Sequence, residues 1–219
     1  MRRCILCRKH DQHLDQISYD WEIDHSNYRE IWQAESPEAL DLIARADALG
    51  EEGAEGAIEL LKEAADRGSI IAHYKLGWHY WTGTGTAEDL PAALEHYRSA
   101  FAGGLSMAAL HYARLSHELG QSEEAERVYL QAIEAGFLPA NYWLARHRYN
   151  LQPTRKTAAL VRPLLEAAAL AGHPHARILE TRLHLFGKYG LRSVFRGIRL
   201  AMKTYGDLAP TSEQLERYS

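Results

Sequence analysis

Apolar residues recur along this chain in blocks, and within each block their spacing is helical. From Ser69 to Thr82, the residues Ala72, Leu76, Gly77 and Tyr80 fall on one face. Gly83-Thr84-Gly85 then breaks the run. A second run starts at Asp89, a residue suited to cap a helix, with Pro91 in the first turn and Ala93, Tyr97 and Ala100 on one stripe. The pattern predicts helix, turn, helix. It returns at Leu105–Leu119 with Ser122–Ala135, around a Gly120-Gln121 turn, and at Phe137–Tyr149 with Thr157–Ala171. Pro174–Phe186 opens a further copy, and Pro37–Leu49 with Ala54–Arg67 reads as an earlier, degenerate hairpin. Pro163 allows two readings of its segment: a helix kinked there, or one that begins late with proline in its first turn.

The copies share a register. Gly68, Gly104, Gly136 and Gly172 are spaced by 36, 32 and 36 residues. Alanine stands four residues after each (Ala72, Ala108, Ala140, Ala176) and four before each (Ala64, Ala100, Ala132, Ala168). Leu61, Tyr97, Tyr129 and Leu165 stand three residues before the second set. Self-similarity at this period is the signature of a solenoid. Alanine and glycine let antiparallel helices approach closely, and the tyrosine or leucine beside them fills the gap.

The segment Ala72-His73-Tyr74-Lys75-Leu76-Gly77-Trp78-His79-Tyr80, followed by Gly83-Thr84-Gly85, Asp89, Ala92-Ala93, Tyr97, Ala100 and Gly103, resembles the Sel-one-like repeat family, a tetratricopeptide-like class of stacked helical hairpins. The copies from Gly104 and Gly136 keep the alanines and aromatics but lose the Gly-x-Gly turn. The copy from Gly172 keeps Ala176 and Gly187. The resemblance covers roughly residues 36 to 187. It implies an adaptor or scaffold that binds other proteins, of bacterial type, and not a reaction. The expected fold is all-α: a right-handed superhelical α-solenoid of about five antiparallel helix pairs over 36–187. An N-terminal arm (1–35) precedes it, and a basic amphipathic capping helix and tail (188–219) follow.

In such a stack the first helix of each pair faces the concave side, where ligands commonly bind. Counted from the marker alanine, positions zero, four, five and eight pack inward, so positions two, six and nine point the other way. Position two holds Tyr74, Leu110, Tyr142 and Ile178; position six holds Trp78, Arg114, Arg146 and Arg182; position nine holds Trp81, His117, Tyr149 and Leu185. An aromatic strip beside a ladder of arginines suits an extended peptide or protein with acidic groups. Guanidinium forks grip carboxylates, and aromatics serve as rigid anchors. The tyrosines at position two also fit a purely structural role between helices, and the arginines a solvated face.

The composition narrows the alternatives. Of 219 residues, 46% are hydrophobic, enough for a core without disulfides, and the formal charge of −4 argues against a nucleic-acid partner. No apolar run is long enough to span a bilayer, and no apolar stretch follows the basic start, so neither a membrane span nor a secretory signal is expected. Two cysteines exclude a disulfide framework and point to the cytoplasm. Both lie in Cys4-x-x-Cys7, with His10, His13 and, better placed, His25 nearby. Thiolates and imidazole together would suit zinc, although structural sites usually join two well-separated ligand pairs. The other histidines are dispersed, and no nucleophile has a base in register, so no enzyme is expected. Gly83-Thr84-Gly85-Thr86 lacks the preceding strand and following Lys-Ser/Thr of a phosphate loop.

The charge is also polarised. Residues 1–180 carry 18 basic and 26 acidic residues, a formal −8, whereas 181–206 carry six basic residues and no acidic one. On a helix from about Leu191 to Tyr205, the residues Leu191, Val194, Phe195, Ile198, Met202 and Tyr205 form an apolar stripe bordered by Arg192, Arg196, Arg199 and Lys203. A basic amphipathic helix can lie on an anionic membrane or dock an acidic partner. It can equally close the last hairpin by turning its apolar stripe onto the core.

Overall fold

Helix follows helix at the expected intervals. A computed structural model describes residues 24–50 and 53–208, with side chains placed to residue 203. Among the described residues there are eleven α-helices and no strand: α1 (His25–Ala34), α2 (Pro37–Leu49), α3 (Ala54–Asp66), α4 (Ile70–Thr82), α5 (Leu90–Ala102), α6 (Ala108–Glu118), α7 (Ser122–Glu134), α8 (Pro139–Leu151), α9 (Arg155–Leu170), α10 (Pro174–Leu185) and α11 (Ser193–Leu208). The pairs α2–α3, α4–α5, α6–α7, α8–α9 and α10–α11 pack as hairpins. Helix α3 also packs on α4, α5 on α6, and α9 on α10. The described chain divides into two compact units, residues 24–137 and 138–208.

The repeated glycine has a mechanical reason. Gly68, Gly104, Gly136 and Gly172 have φ of 86°, 97°, 87° and 101°, a left-handed conformation that a Cβ would strain. That turn lets the next residue donate back across the helix end: Ser69 N–H to Ala64 O at 3.1 Å, Leu105 to Ala100 at 3.1 Å, Phe137 to Ala132 at 2.9 Å and His173 to Ala168 at 2.9 Å. This is the six-residue closure of a Schellman C-cap. All eight marker alanines are fully buried, at 0% exposure. They sit where neighbouring helices touch, and no larger side chain would fit.

Polar caps fix the opposite ends. Ser36, Ser69, Asp89 and Thr154 accept from Ala39, Ala72, Ala92 and Thr157 N–H groups, at 3.2, 3.0, 2.9 and 3.1 Å. The Thr154 cap also decides between the readings of Pro163. Helix α9 begins at Arg155 and runs through the proline, whose ring lies on the exposed side. The backbone acceptor left without a donor is Ala159, likewise exposed and able to bond water.

In residues 24–137, one core joins Ala39, Ile43, Ile58, Leu61, Ile71 and Leu76 of α2, α3 and α4. Helix α1 falls inside the segment read from sequence as a weakly specified arm, yet Tyr28, Ile31 and Trp32 pack against this core. Polar bonds fasten it further. Asn27 accepts from Ser106 N–H at 2.9 Å and donates to Gly104 O at 3.0 Å, while Glu35 accepts from Ile71 N–H at 2.9 Å. Side chains around α1 therefore bond backbone groups at the starts of α4 and α6. In residues 138–208, a second core joins Ala145, Val161, Leu165, Ala176 and Leu183.

Candidate functional site

In residues 24–137, α4 and α6 meet through aromatic and cationic side chains. Gly77 makes room for Tyr97 of α5, since a Cβ there would lie 2.9 Å from its ring. Tyr97 is fully buried and stacks on His111 of α6, with ring centroids 4.9 Å apart. The Tyr74 hydroxyl bonds His111 Nε2 at 3.1 Å, and Trp81 packs against the same imidazole at 5.5 Å. Arg114, one turn on from His111, holds its guanidinium 4.7 Å above the Trp81 ring and bonds Glu118 at 3.1 Å. Trp78 is 43% exposed beside this group. His117 lies at the end of α6, where it bonds Ser122 at 3.0 Å. The resulting surface is apolar, π-rich and cationic, a combination suited to carboxylates and to the edges of apolar side chains.

A histidine pair flanks α4 on another side. His73 Nδ1 and His96 Nδ1 share a hydrogen bond of 3.0 Å, and His96 stacks on Tyr80. Burial pushes both imidazoles below their ordinary range; His96, further lowered by His73, falls to about 4.

In residues 138–208 the expected residues separate. Tyr142 is 6% exposed and packs against His173, at 4.4 Å, and Trp143, at 5.4 Å. It belongs to the core, which corrects its expected place on a ligand-facing surface. Tyr149 packs half-buried against the same core. Arg146 is exposed, with its guanidinium 5.0 Å above Trp143, and Arg182 is exposed on α10.

The same unit contains a constellation that sequence inspection did not identify. Arg162 bonds Glu166 at 2.8 Å, and Arg196 of α11 lies 3.6 Å from Glu166 and 3.8 Å from Glu180. Glu180 is 6% exposed, and its carboxyl oxygen is 3.7 Å from His184 Nε2. Burial and the nearby Glu166 push Glu180 up, against Arg196 and Arg162. Burial and the two arginines push His184 down. Each group is thus held back from its charged form. Glu166, Glu180, Arg177, Arg196 and Lys203 line a cleft of about 360 Å³.

No protein-family model matches the chain, and no curated protein matches it. Solved structures do. A Sel1 repeat protein from Oxalobacter formigenes is similar over 82% of this chain and 84% of its own length, at 17% identity and a TM-score of 0.59. A protective antigen of uropathogenic Escherichia coli with an SLR fold is similar over 81% of this chain, at 16% identity and a TM-score of 0.60. This chain spans 43% of that antigen's length. The chain has the Sel1-repeat fold.

Within the Sel1-repeat fold, Tyr74, Trp78, Trp81, Arg114 and His117 lie on the first helices of two successive pairs, α4 and α6. The sequence register missed His111, which links Tyr74, Tyr97 and Trp81 from one turn before Arg114. It also missed Trp143, on which Arg146 rests. The ionisable cluster does leave a trace: Arg162–Glu166 and Glu180–His184 are both i, i+4 pairs, on successive helices. For the proposed zinc set, His25 is the first residue of α1, whereas Cys4 and Cys7 lie outside the described residues. Among the described residues, no group of three or more His, Cys, Asp or Glu side chains could hold a metal ion. No described helix is long and apolar enough to cross a membrane.

Proposed function

We propose that this protein is a binding module rather than an enzyme, and that it takes an extended acidic peptide, or an acidic loop of a protein, on the α4–α6 surface. The observation that carries this reading is the Arg114 guanidinium held 4.7 Å over Trp81, beside the exposed Trp78. Stacking and the bond to Glu118 restrict Arg114 before any ligand arrives, so less side-chain freedom is lost on binding. Trp78 supplies the exposed apolar anchor, and the bonded pair Tyr74 and His111 packs beside Trp81. Arg146 on Trp143 repeats the arginine-on-tryptophan arrangement on α8.

The test is affinity capture with mass spectrometry, run in parallel on the wild-type chain, Trp78→Ala, and Arg114→Ala with Arg146→Ala. A partner retained by wild type should be lost or weakened at least tenfold in each variant, because an interface anchor or guanidinium is typically worth about 1.4 kcal/mol or more. All three side chains are exposed, so melting temperatures should stay within a few degrees of wild type. Unfolding of the double arginine variant would refute the surface assignment. Undiminished capture by both variants would refute the site.

A further inference from the structure

The C-terminal helix is packed with the face opposite to the one its amphipathic pattern suggests. Gly197 faces α10 so closely that a Cβ there would lie 2.7 Å from Leu185 N and 3.0 Å from the His184 carbonyl carbon. Val194 and Leu200, on either side, are only partly covered. The apolar stripe itself points outward: Leu191 is 82% exposed, Phe195 79%, Met202 74% and Ile198 49%. At about 100° per residue, Phe195, Ile198 and Met202 share an arc of about 60°, and Arg199 and Lys203 lie in the adjoining arc. Arg192, in the turn before the helix, continues that basic edge. Arg196 is drawn aside to Glu166 and Glu180, whereas no carboxylate among the described residues pairs with Arg192, Arg199 or Lys203.

We propose that this outer face of α11 is a docking surface for an anionic lipid bilayer, with Phe195, Ile198, Met202 and Leu191 entering the interface and Arg192, Arg199 and Lys203 meeting the headgroups. Large apolar side chains left in water beside a continuous basic edge are the arrangement that interfacial helices use. The charge distribution specifies the sign of the surface. The 181–206 segment is purely basic, with six basic residues and no acidic one, so an anionic surface attracts it. The helix is already formed and seated on α10 through Gly197, so docking does not require it to fold. This surface is built from other residues than the α4–α6 site, and either role stands without the other.

Co-sedimentation of the full chain with phosphatidylcholine vesicles, with and without about one-third phosphatidylserine, tests the proposal. Binding to the phosphatidylserine vesicles alone, weakened by salt, is the expected result. Arg199→Gln with Lys203→Gln should reduce that binding about 30-fold. Phe195→Ser with Met202→Ser should abolish it while leaving the melting curve unchanged, because both side chains lie in solvent. Absence of binding, equal binding to both vesicle types, or undiminished binding by the two variants would overturn the proposal. So would a wild-type dimer in analytical ultracentrifugation that Phe195→Ser with Met202→Ser converts to monomer, since the stripe would then be covered by a second copy.

Discussion

Replacing His96 by glutamine should remove a measurable part of the protein's acid sensitivity. His73 Nδ1 and His96 Nδ1 lie 3.0 Å apart, and a hydrogen bond between them requires at least one neutral ring, because an imidazolium offers only donors. Burial is the main reason that His96 titrates low, at about 4. The His73 charge and Lys62 act in the same direction, and Glu95 opposes them. His73 is lowered by burial against Asp66 and Glu35. A histidine with a depressed folded pKa binds fewer protons folded than unfolded. Its stabilisation is complete above the unfolded value of about 6.5 and is lost as pH falls from there towards the folded value. A shift of roughly 2.5 units sets a ceiling of about 3.4 kcal/mol. Partial solvent access to the ring reduces the expected effect to about 2 kcal/mol. Urea unfolding between about pH 7 and about pH 4.5 reads it directly, for wild type and for His96→Gln. Glutamine can still bond His73 but does not titrate. Wild type should therefore lose about 2 kcal/mol more than the variant across that range. Parallel curves would refute the reasoning, as would a wild type that gains stability relative to the variant on acidification.

Glu180→Gln should act with the opposite sign. Burial raises the Glu180 carboxyl, so its contribution is complete below the unfolded pKa and declines as pH rises through the folded value; the variant should then match or exceed wild-type stability at neutral pH, and a clear loss there would show that Arg196 and Arg162 outweigh desolvation. Gly83 and Gly85 make a paired comparison, because both have positive φ, 71° and 76°, but a Cβ at Gly83 would lie at ordinary contact distance, 3.4 Å from Glu88 N, whereas one at Gly85 would lie 2.6 Å from the Ala54 backbone. Alanine at Gly83 should cost about 1 kcal/mol and at Gly85 at least about 2 kcal/mol, measured by denaturant midpoint, and equal costs would contradict the close approach. Gly197→Leu should loosen α11 from α10, seen as faster amide exchange in 193–203 with little change in 139–170, and unchanged exchange would refute the seating of that helix.

The fold was largely legible because its decisive features are local. A glycine that must turn left-handed and the alanine that accepts the capping bond from the residue after it recur in one register, and serine, aspartate or threonine caps mark several of the helix starts. Helix α1 was not legible for the same reason. Its anchoring is long-range, through Asn27 to Gly104 and Ser106 and through Glu35 to Ile71, and nothing near those residues in sequence announces the contact. On α4 and α6 the count of positions from the marker alanine names Tyr74, Trp81 and Arg114, which meet around His111 and Trp81, but it misplaces Leu110 at position two of α6, which is buried. On α8 the same count failed for Tyr142. Position two lies at the edge of the packed face, and His173, which precedes α10, and His175 in its first turn close over it.

Helix α11 shows why amphipathicity alone assigns a face poorly. Burying Phe195, Ile198 and Met202 would remove more apolar surface from water than burying Gly197 does, and on that ground the stripe belongs inside. The neighbour has no room for it. At His184 and Leu185 the backbone of α10 is itself the surface presented, and only a residue without a side chain fits there, since a Cβ at position 197 would lie 2.7 Å from Leu185 N and 3.0 Å from the His184 carbonyl carbon. This close seating brings α11 into reach of Glu166 and Glu180, so that Arg196 can approach two carboxylates, one of them buried. Seating the helix on Gly197 therefore combines close packing with compensation of buried charge, and its consequence is that the apolar stripe faces outward. The stripe and its basic border lie on the same side because the one residue that fits α10 lies opposite both.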